Sequence, residues 1–222
     1  AYGGNAAMMH YHATPEDHAV LEKKGFLLVD SGATYMDGTT DITRTYPLGP
    51  LTEDEKRFYT WTLQSHIDLA KAVWLDYCEC KMIDTIAREP LWRHLINYRC
   101  GTGHSVSFVG NVHEGPHSLR GTNSVLMRPG MVVTDEPGVY ETDLVGIRIE
   151  NELVCVHKAD NQYGTFLGFE PLMFVPIATS PILPGVLDKD EIAWLNDYHR
   201  QVFAKLAPHL NDEERSWLAE KC

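Results

Sequence analysis

The segment VGIRIENELVCVH, residues 145–157, sets the strongest limit on how this chain folds. Its run of Val, Ile and Leu marks a buried strand, and Glu150 interrupts it. A carboxylate buried there without a partner costs several kcal/mol, so Glu150 needs a cation or a strong hydrogen-bond donor. Arg148 lies two residues earlier, which in a strand puts it on the same face as Glu150. It would orient nearby carboxylates or form a plain ion pair. Upstream, MVVTDEP (residues 131–137) carries Glu136 directly before a proline, and a hairpin would bring these two strands together.

Two more acids and two histidines extend the pattern. Asp30 ends GFLLVD and Asp41 follows a Gly-rich turn, so adjacent strands would place the two carboxylates side by side. Carboxylates that close repel unless a cation separates them. Taken singly, Asp30 would equally cap the turn before Ser31-Gly32, and Asp41 would equally pair with Arg44. In GTGHSVSFVGNVHEGP, His104 is flanked by a glycine that permits close backbone approach, and His113 follows further along. A lone histidine in a strand is more often structural than a ligand.

Composition excludes several classes. With 222 residues, 44% of them apolar, the chain can bury a substantial core. A net charge of −12 argues against nucleic acid, which needs clustered Lys and Arg. No stretch approaches the roughly 20 apolar residues that span a bilayer, so a membrane partner is not expected. Cys78, Cys80, Cys100, Cys155 and Cys222 form an odd set without C-x-x-C spacing and are expected as reduced thiols, which favours a reducing, cytoplasmic compartment.

Strands are expected at Ala7 to His12, Gly25 to Ser31 and Tyr35 to Tyr46, forming an antiparallel meander. The capping box Thr52-Glu-Asp-Glu55 predicts a helix running to about Tyr77, and a second helix is expected over Met82 to Ile96, disturbed by Pro90. Strands return as SVSFVG, MVVTDEP, VGIRIENELVCVH and FLGFEPLMFVPI. Helices over Asp188 to Leu206 and Asn211 to Lys221 close the chain, giving an α+β domain over 1–184 and a helical extension over 185–222.

Together these motifs resemble the pita-bread metallopeptidases, family M24, which include methionine aminopeptidases, prolidases and Xaa-Pro aminopeptidases. The resemblance spans nearly the whole chain, and VDSGATYMDGTTDITRT, GTGH with NVHEGP, and GFEPL with a two-helix tail look like the cytosolic-type Xaa-Pro aminopeptidases. It implies a pita-bread fold and two divalent metal ions, manganese above all. Asp41 and Glu150 would bridge the ions, Asp30 would bind one, and His104 with Glu136 the other. A hydroxide between the metals would attack the bond before proline, Glu136 would shuttle the proton, His113 would stabilise the oxyanion, and His10 would contact the peptide. Arg148 is a further candidate substrate-binding residue.

The resemblance also marks departures. Cys100 stands where some relatives carry a substrate-placing histidine, and Ser105 and Ser107 stand where close relatives would have glycine. It implies that the first elements of the fold precede this chain, so a separate N-terminal piece of the same protein is an expected partner. A homodimer is expected too, because relatives with this tail commonly pair. The stripe Trp194, Leu195, Tyr198 and Val202 would serve either the core or that contact. Alternatives are a prolidase-type dipeptidase and a non-catalytic binding module on the same fold.

Overall fold

A computed structural model describes all 222 residues. Alternation of apolar and polar residues around the Asp37-Gly38 turn makes an antiparallel hairpin of β1 (Phe26–Tyr35) and β2 (Gly38–Pro47). Helix α1 (Glu53–Ala70) starts at the expected capping box, with Thr52 accepting from the Glu55 N–H and Glu55 accepting in return. It ends seven residues before Tyr77, because Val73, Trp74 and Leu75 form β3 (Val73–Leu75) instead. Trp74 there packs on Phe169, with ring centroids 4.6 Å apart.

Helix α2 (Cys80–Trp92) tolerates Pro90 in its last turn and stops two residues beyond it, short of Ile96. Two-residue strands β4 (Gly103–His104) and β5 (Ser118–Leu119) follow. Then come β6 (Val132–Asp135), β7 (Gly138–Glu141), β8 (Val145–Arg148), β9 (Asn151–Asn161) and β10 (Gly164–Pro171). The main sheet runs β3-β10-β9-β6, while β7 and β8 pair separately. One core lies between that sheet and α2, around Ile83, Met127, Val133 and Leu153.

A second core joins α1 to β8 and to α3 (Lys189–Leu206) and α4 (Asp212–Lys221) through Leu63, Ile67, Ile147, Leu195, Val202 and Leu218. Leu195, Tyr198 and Val202 of the expected stripe are buried in this core, and Trp194 packs against both cores. Both tail helices start at capping boxes, on Asp188 and on Asn211.

Two expected strands do not form. Residues 7–12 hold the end of a 3-10 turn (Gly3–Ala7) and irregular chain, because the hairpin edge is paired only as far as Tyr2, opposite Leu27. The first sheet is therefore a two-stranded hairpin. In SVSFVG only Ser105 makes a bridge, to Val133; Ser107 then turns the loop back by donating to the Asn111 carbonyl at 2.8 Å, which leaves Phe108 exposed. No helix is long and apolar enough to cross a membrane.

Candidate metal centre and active site

Register in the β1–β2 hairpin puts Asp41 opposite Gly32 and Asp30 opposite Thr43, so the two aspartates are diagonal neighbours on one face. Asp41, Thr43 and Thr45 share that face of β2 by strand alternation, and each binds something that shapes the site. Thr43 donates to Glu150 Oε2 at 2.5 Å and accepts from Arg148 Nε at 3.1 Å. Thr45 donates to the Arg148 carbonyl and accepts from its N–H.

Glu136 and Glu150 arrive from a bent hairpin. The pairings Asp135 with Asn151 and Gly138 with Arg148 share one register, which sets Glu136 opposite Glu150. Both residues fall where the strands leave one sheet for the next. Pro137 has no N–H and ends the ladder. The freed backbone N–H groups turn to other segments, Glu136 to the Thr102 carbonyl at 2.8 Å and Glu150 to the Thr43 carbonyl of β2 at 3.1 Å. That break is what lets a carboxylate sit within the apolar run of residues 145–157.

His104 enters on β4, held against β6 by its N–H donating to Thr134 Oγ1 at 3.0 Å. Gly103 is required for this approach, since a Cβ there would collide with the Thr134 carbonyl. The His104 Nδ1 faces the Ser105 carbonyl at 3.1 Å, which assigns the proton to Nδ1. The Nε2 lone pair is thereby aimed at Asp41 Oδ2 and Glu136 Oε1, each 3.4 Å away.

Ligand atoms of Asp41, His104 and Glu150 lie within 4.8 Å of one another. Glu136 adjoins through His104, with Thr134 donating to its Oε1 at 3.1 Å. Acceptors facing acceptors around one space suit a divalent cation, so the donor set fits the expected metal. Asp30 stands beside this group rather than in it, with its carboxylate 2.6 Å from Arg148 Nη2. The alternative of an Asp41–Arg44 pair is overturned. Arg44 instead spends its donors on the carbonyls of Thr43, Glu150, Val175 and Pro176 and on Asn151 and Tyr198.

The crowding shows in proton affinity. Burial pushes the Glu136 carboxyl up to about 7, against the pull of His104 and Arg148. Glu150 is held well above the usual carboxylate range by burial and by its neighbours Glu136 and Asp41. Without a metal, burial favours the neutral His104 ring, but the bond that a protonated Nε2 donates to Asp41 and the charge of Glu136 outweigh it, and the net shift is upward. His113 stacks on His104, with centroids 3.7 Å apart, and burial plus that neighbour lower its affinity for a proton.

A cleft of about 440 Å³ opens over these residues, with His10, His113 and Cys100 in its wall. His10 and His113 are both exposed to it. Burial, then Glu136, raises the Cys100 thiol, so this position carries a neutral S–H.

Sequence reasoning missed the layer beneath. His66 of α1 is fully buried, 3.0 Å from Asp135 Oδ2, and its Nε2 accepts from Asn151 Nδ2 at 3.2 Å. Asn151 Oδ1 in turn accepts from Arg44 and from the Tyr198 hydroxyl. Asp135 and Asn151 each directly neighbour a candidate ligand, Glu136 and Glu150, so the network fixes the backbone that carries them. Thr43 had a legible signal, the alternation Asp41-x-Thr43-x-Thr45, whereas His66 lies in an ordinary amphipathic helix.

A sequence model of metallopeptidase family M24 matches residues 1–157, and one of the C-terminal region of that family's peptidases matches residues 165–222. The chain belongs to metallopeptidase family M24. It is 41% identical to the probable Xaa-Pro aminopeptidase P of Coprinopsis cinerea over 97% of this chain and 36% of that protein. Aminopeptidase P2 of Arabidopsis thaliana is 43% identical over 97% of this chain and 31% of its own length. The chain thus spans about a third of the curated relatives it matches. A crystal structure of X-prolyl aminopeptidase from Caenorhabditis elegans, described as a cytosolic enzyme with a di-nuclear active site, superposes with a TM-score of 0.94 at 37% identity, covering 100% of this chain and 37% of that one. Prolidase from Pyrococcus furiosus gives a TM-score of 0.65 at 28% identity over 78% of this chain and 47% of its own. The α+β architecture is the pita-bread fold of these enzymes.

Proposed function

We propose that this chain forms the catalytic unit of a metal-dependent aminopeptidase that releases the first residue from peptides with proline in second position. The observation that carries the reading is the convergence of His104 Nε2 on Asp41 and Glu136 beside Glu150, an arrangement that suits a cation. Likeness to Xaa-Pro aminopeptidases over nearly the whole chain supports the substrate class.

Asp30, Asp41, His104, Glu136 and Glu150 would hold two divalent ions, which when bound acidify a water and polarise the peptide carbonyl. Manganese suits this oxygen-rich set with one imidazole. Glu136, with a carboxyl at about 7, accepts the proton of the attacking water and returns it to the departing proline nitrogen. His113, kept neutral near pH 7, donates an N–H to the carbonyl oxygen as charge develops on it. His10, in the wall of the same cleft, contacts the peptide, and Arg148 orients Asp30 and Thr43. A cytoplasmic location and a homodimer complete the reading, the first supported by the described location of the nematode enzyme.

The likeness to prolidase makes a dipeptidase the second reading. A panel of Ala-Pro, Ala-Pro-Ala and Ala-Ala-Ala separates them. Release of alanine from Ala-Pro-Ala is the expected result. Turnover of Ala-Pro alone selects the dipeptidase, and no turnover of any, with metal added, selects a binding module.

A further inference from the structure

A second cavity of about 840 Å³ adjoins the catalytic cleft and shares the wall Glu114, Gly115 and His117 with it. Its lining includes two polar side chains that are more than nine-tenths buried, Glu152 at 4% exposure and His117 at 8%. Each has an atom without a hydrogen-bond partner, Glu152 Oε1 and His117 Nδ1.

The chemistry of those two atoms is the same. His117 Nε2 lies 2.8 Å from the Val132 carbonyl, which can only accept, so the ring proton sits on Nε2 and Nδ1 offers a lone pair. Glu152 Oε1 is a carboxylate acceptor. A buried acceptor left unpaired is costly, so two on residues that line one cavity favour a ligand rich in donors. Part of the lining is apolar: Met131 and Met173 border the cavity, as does the exposed Phe108. Carboxylates (Asp37, Glu114, Glu152) lining one cavity together with apolar side chains match a cationic head on an aliphatic stem.

We propose that this cavity is a specificity subsite for a lysine or arginine side chain of the peptide, with Glu152 as its anchor. The assignment to a peptide rests on the aminopeptidase reading, while the affinity for a basic group does not. Glu152 also neighbours Asp41, so a purely structural role has to be separated from a binding one.

Calorimetry on the Mn²⁺-saturated protein with butylguanidinium and the neutral isostere butylurea tests the subsite without turnover. Butylguanidinium is expected to bind about tenfold or more tightly, as a charge-assisted bond to a buried carboxylate gives, and Glu152→Gln is expected to erase most of that preference. Equal affinities in the unaltered protein, or a preference undiminished in Glu152→Gln, would overturn the proposal. If that variant does not fold, the first comparison decides alone. Peptides with arginine or norleucine placed at the first, third or fourth position then locate the subsite. A preference for arginine at one position, lost in Glu152→Gln while Ala-Pro-Ala turnover stays, is the expected result. Equal loss on all peptides assigns Glu152 to structure. Failure of Ala-Pro-Ala itself to turn over counts against the peptidase reading, not against the cavity.

Discussion

Arg148 Nη2 lies 2.6 Å from Asp30 Oδ2, and this pair joins the first hairpin to the strand that precedes Glu150. The guanidinium is buried while the aspartate is partly open to solvent, so the pair's worth lies in orientation more than in Coulomb energy. Its Nε reaches Thr43 and its Nη1 the Tyr140 hydroxyl, a fork that an ammonium cannot reproduce. Arg148→Lys is therefore expected to lower kcat/KM by about tenfold or more. Steady-state kinetics on a tripeptide check this; a rate like the unaltered protein's would remove the orienting role.

Glu136→Gln keeps shape and one carbonyl oxygen but removes the proton carrier. General acid–base groups supply about 10²–10⁴-fold, so turnover is expected to fall by at least about a hundredfold. Much of the metal should stay, because Asp41, His104 and Glu150 remain. Kinetics paired with metal analysis distinguish this from simple metal loss.

The metal-free protein should lose stability as pH rises. Glu136 has a folded pKa of about 7, above its unfolded value, so its contribution is full below the unfolded pKa and is lost as pH climbs through about 7. His104, also raised, acts in the same direction. Melting of the chelated protein is expected at lower temperature at pH 8 than at pH 5.5. The gain in Tm on adding Mn²⁺ is expected to be larger at pH 8, since the cation takes over the role of the protons. A Tm that rises with pH in the chelated protein would contradict the crowding of carboxylates.

Tyr198→Phe tests the buried layer. The hydroxyl touches Arg44, Asn151 and the Val175 backbone, so its loss leaves buried partners unsatisfied and is expected to cost about 1–3 kcal/mol. Denaturant unfolding measures it. An unchanged midpoint would show that the network does not carry the load assigned to it.

These residues also show where reading the chain ran out. Alternation and the Asp37-Gly38 turn made the first hairpin legible, and the spacing of Asp30 and Asp41 carried their shared face with it. Capping boxes at Thr52, Asp188 and Asn211 marked three helix starts, because a cap is a local hydrogen-bond pattern. The end of α1 was not legible, since Val73 to Leu75 become a strand only by pairing with β10, where Phe166 to Gly168 lie far along the chain. For the same reason the residues 145–157 read as one strand, while the break at Glu150 depends on which sheet each half joins. His66, Asp135 and Asn151 each look ordinary in sequence and become a network only through packing.

Stepwise addition of Mn²⁺ to the chelated chain, following bound metal and alanine release from Ala-Pro-Ala together, tests the metal centre most directly. Activity is expected to return as metal fills the site, with saturation at about two ions per chain. Substitution of Asp41 or Glu150 by alanine should abolish both binding and return. Full activity in the chelated chain, or saturation with metal that restores none, would contradict the account.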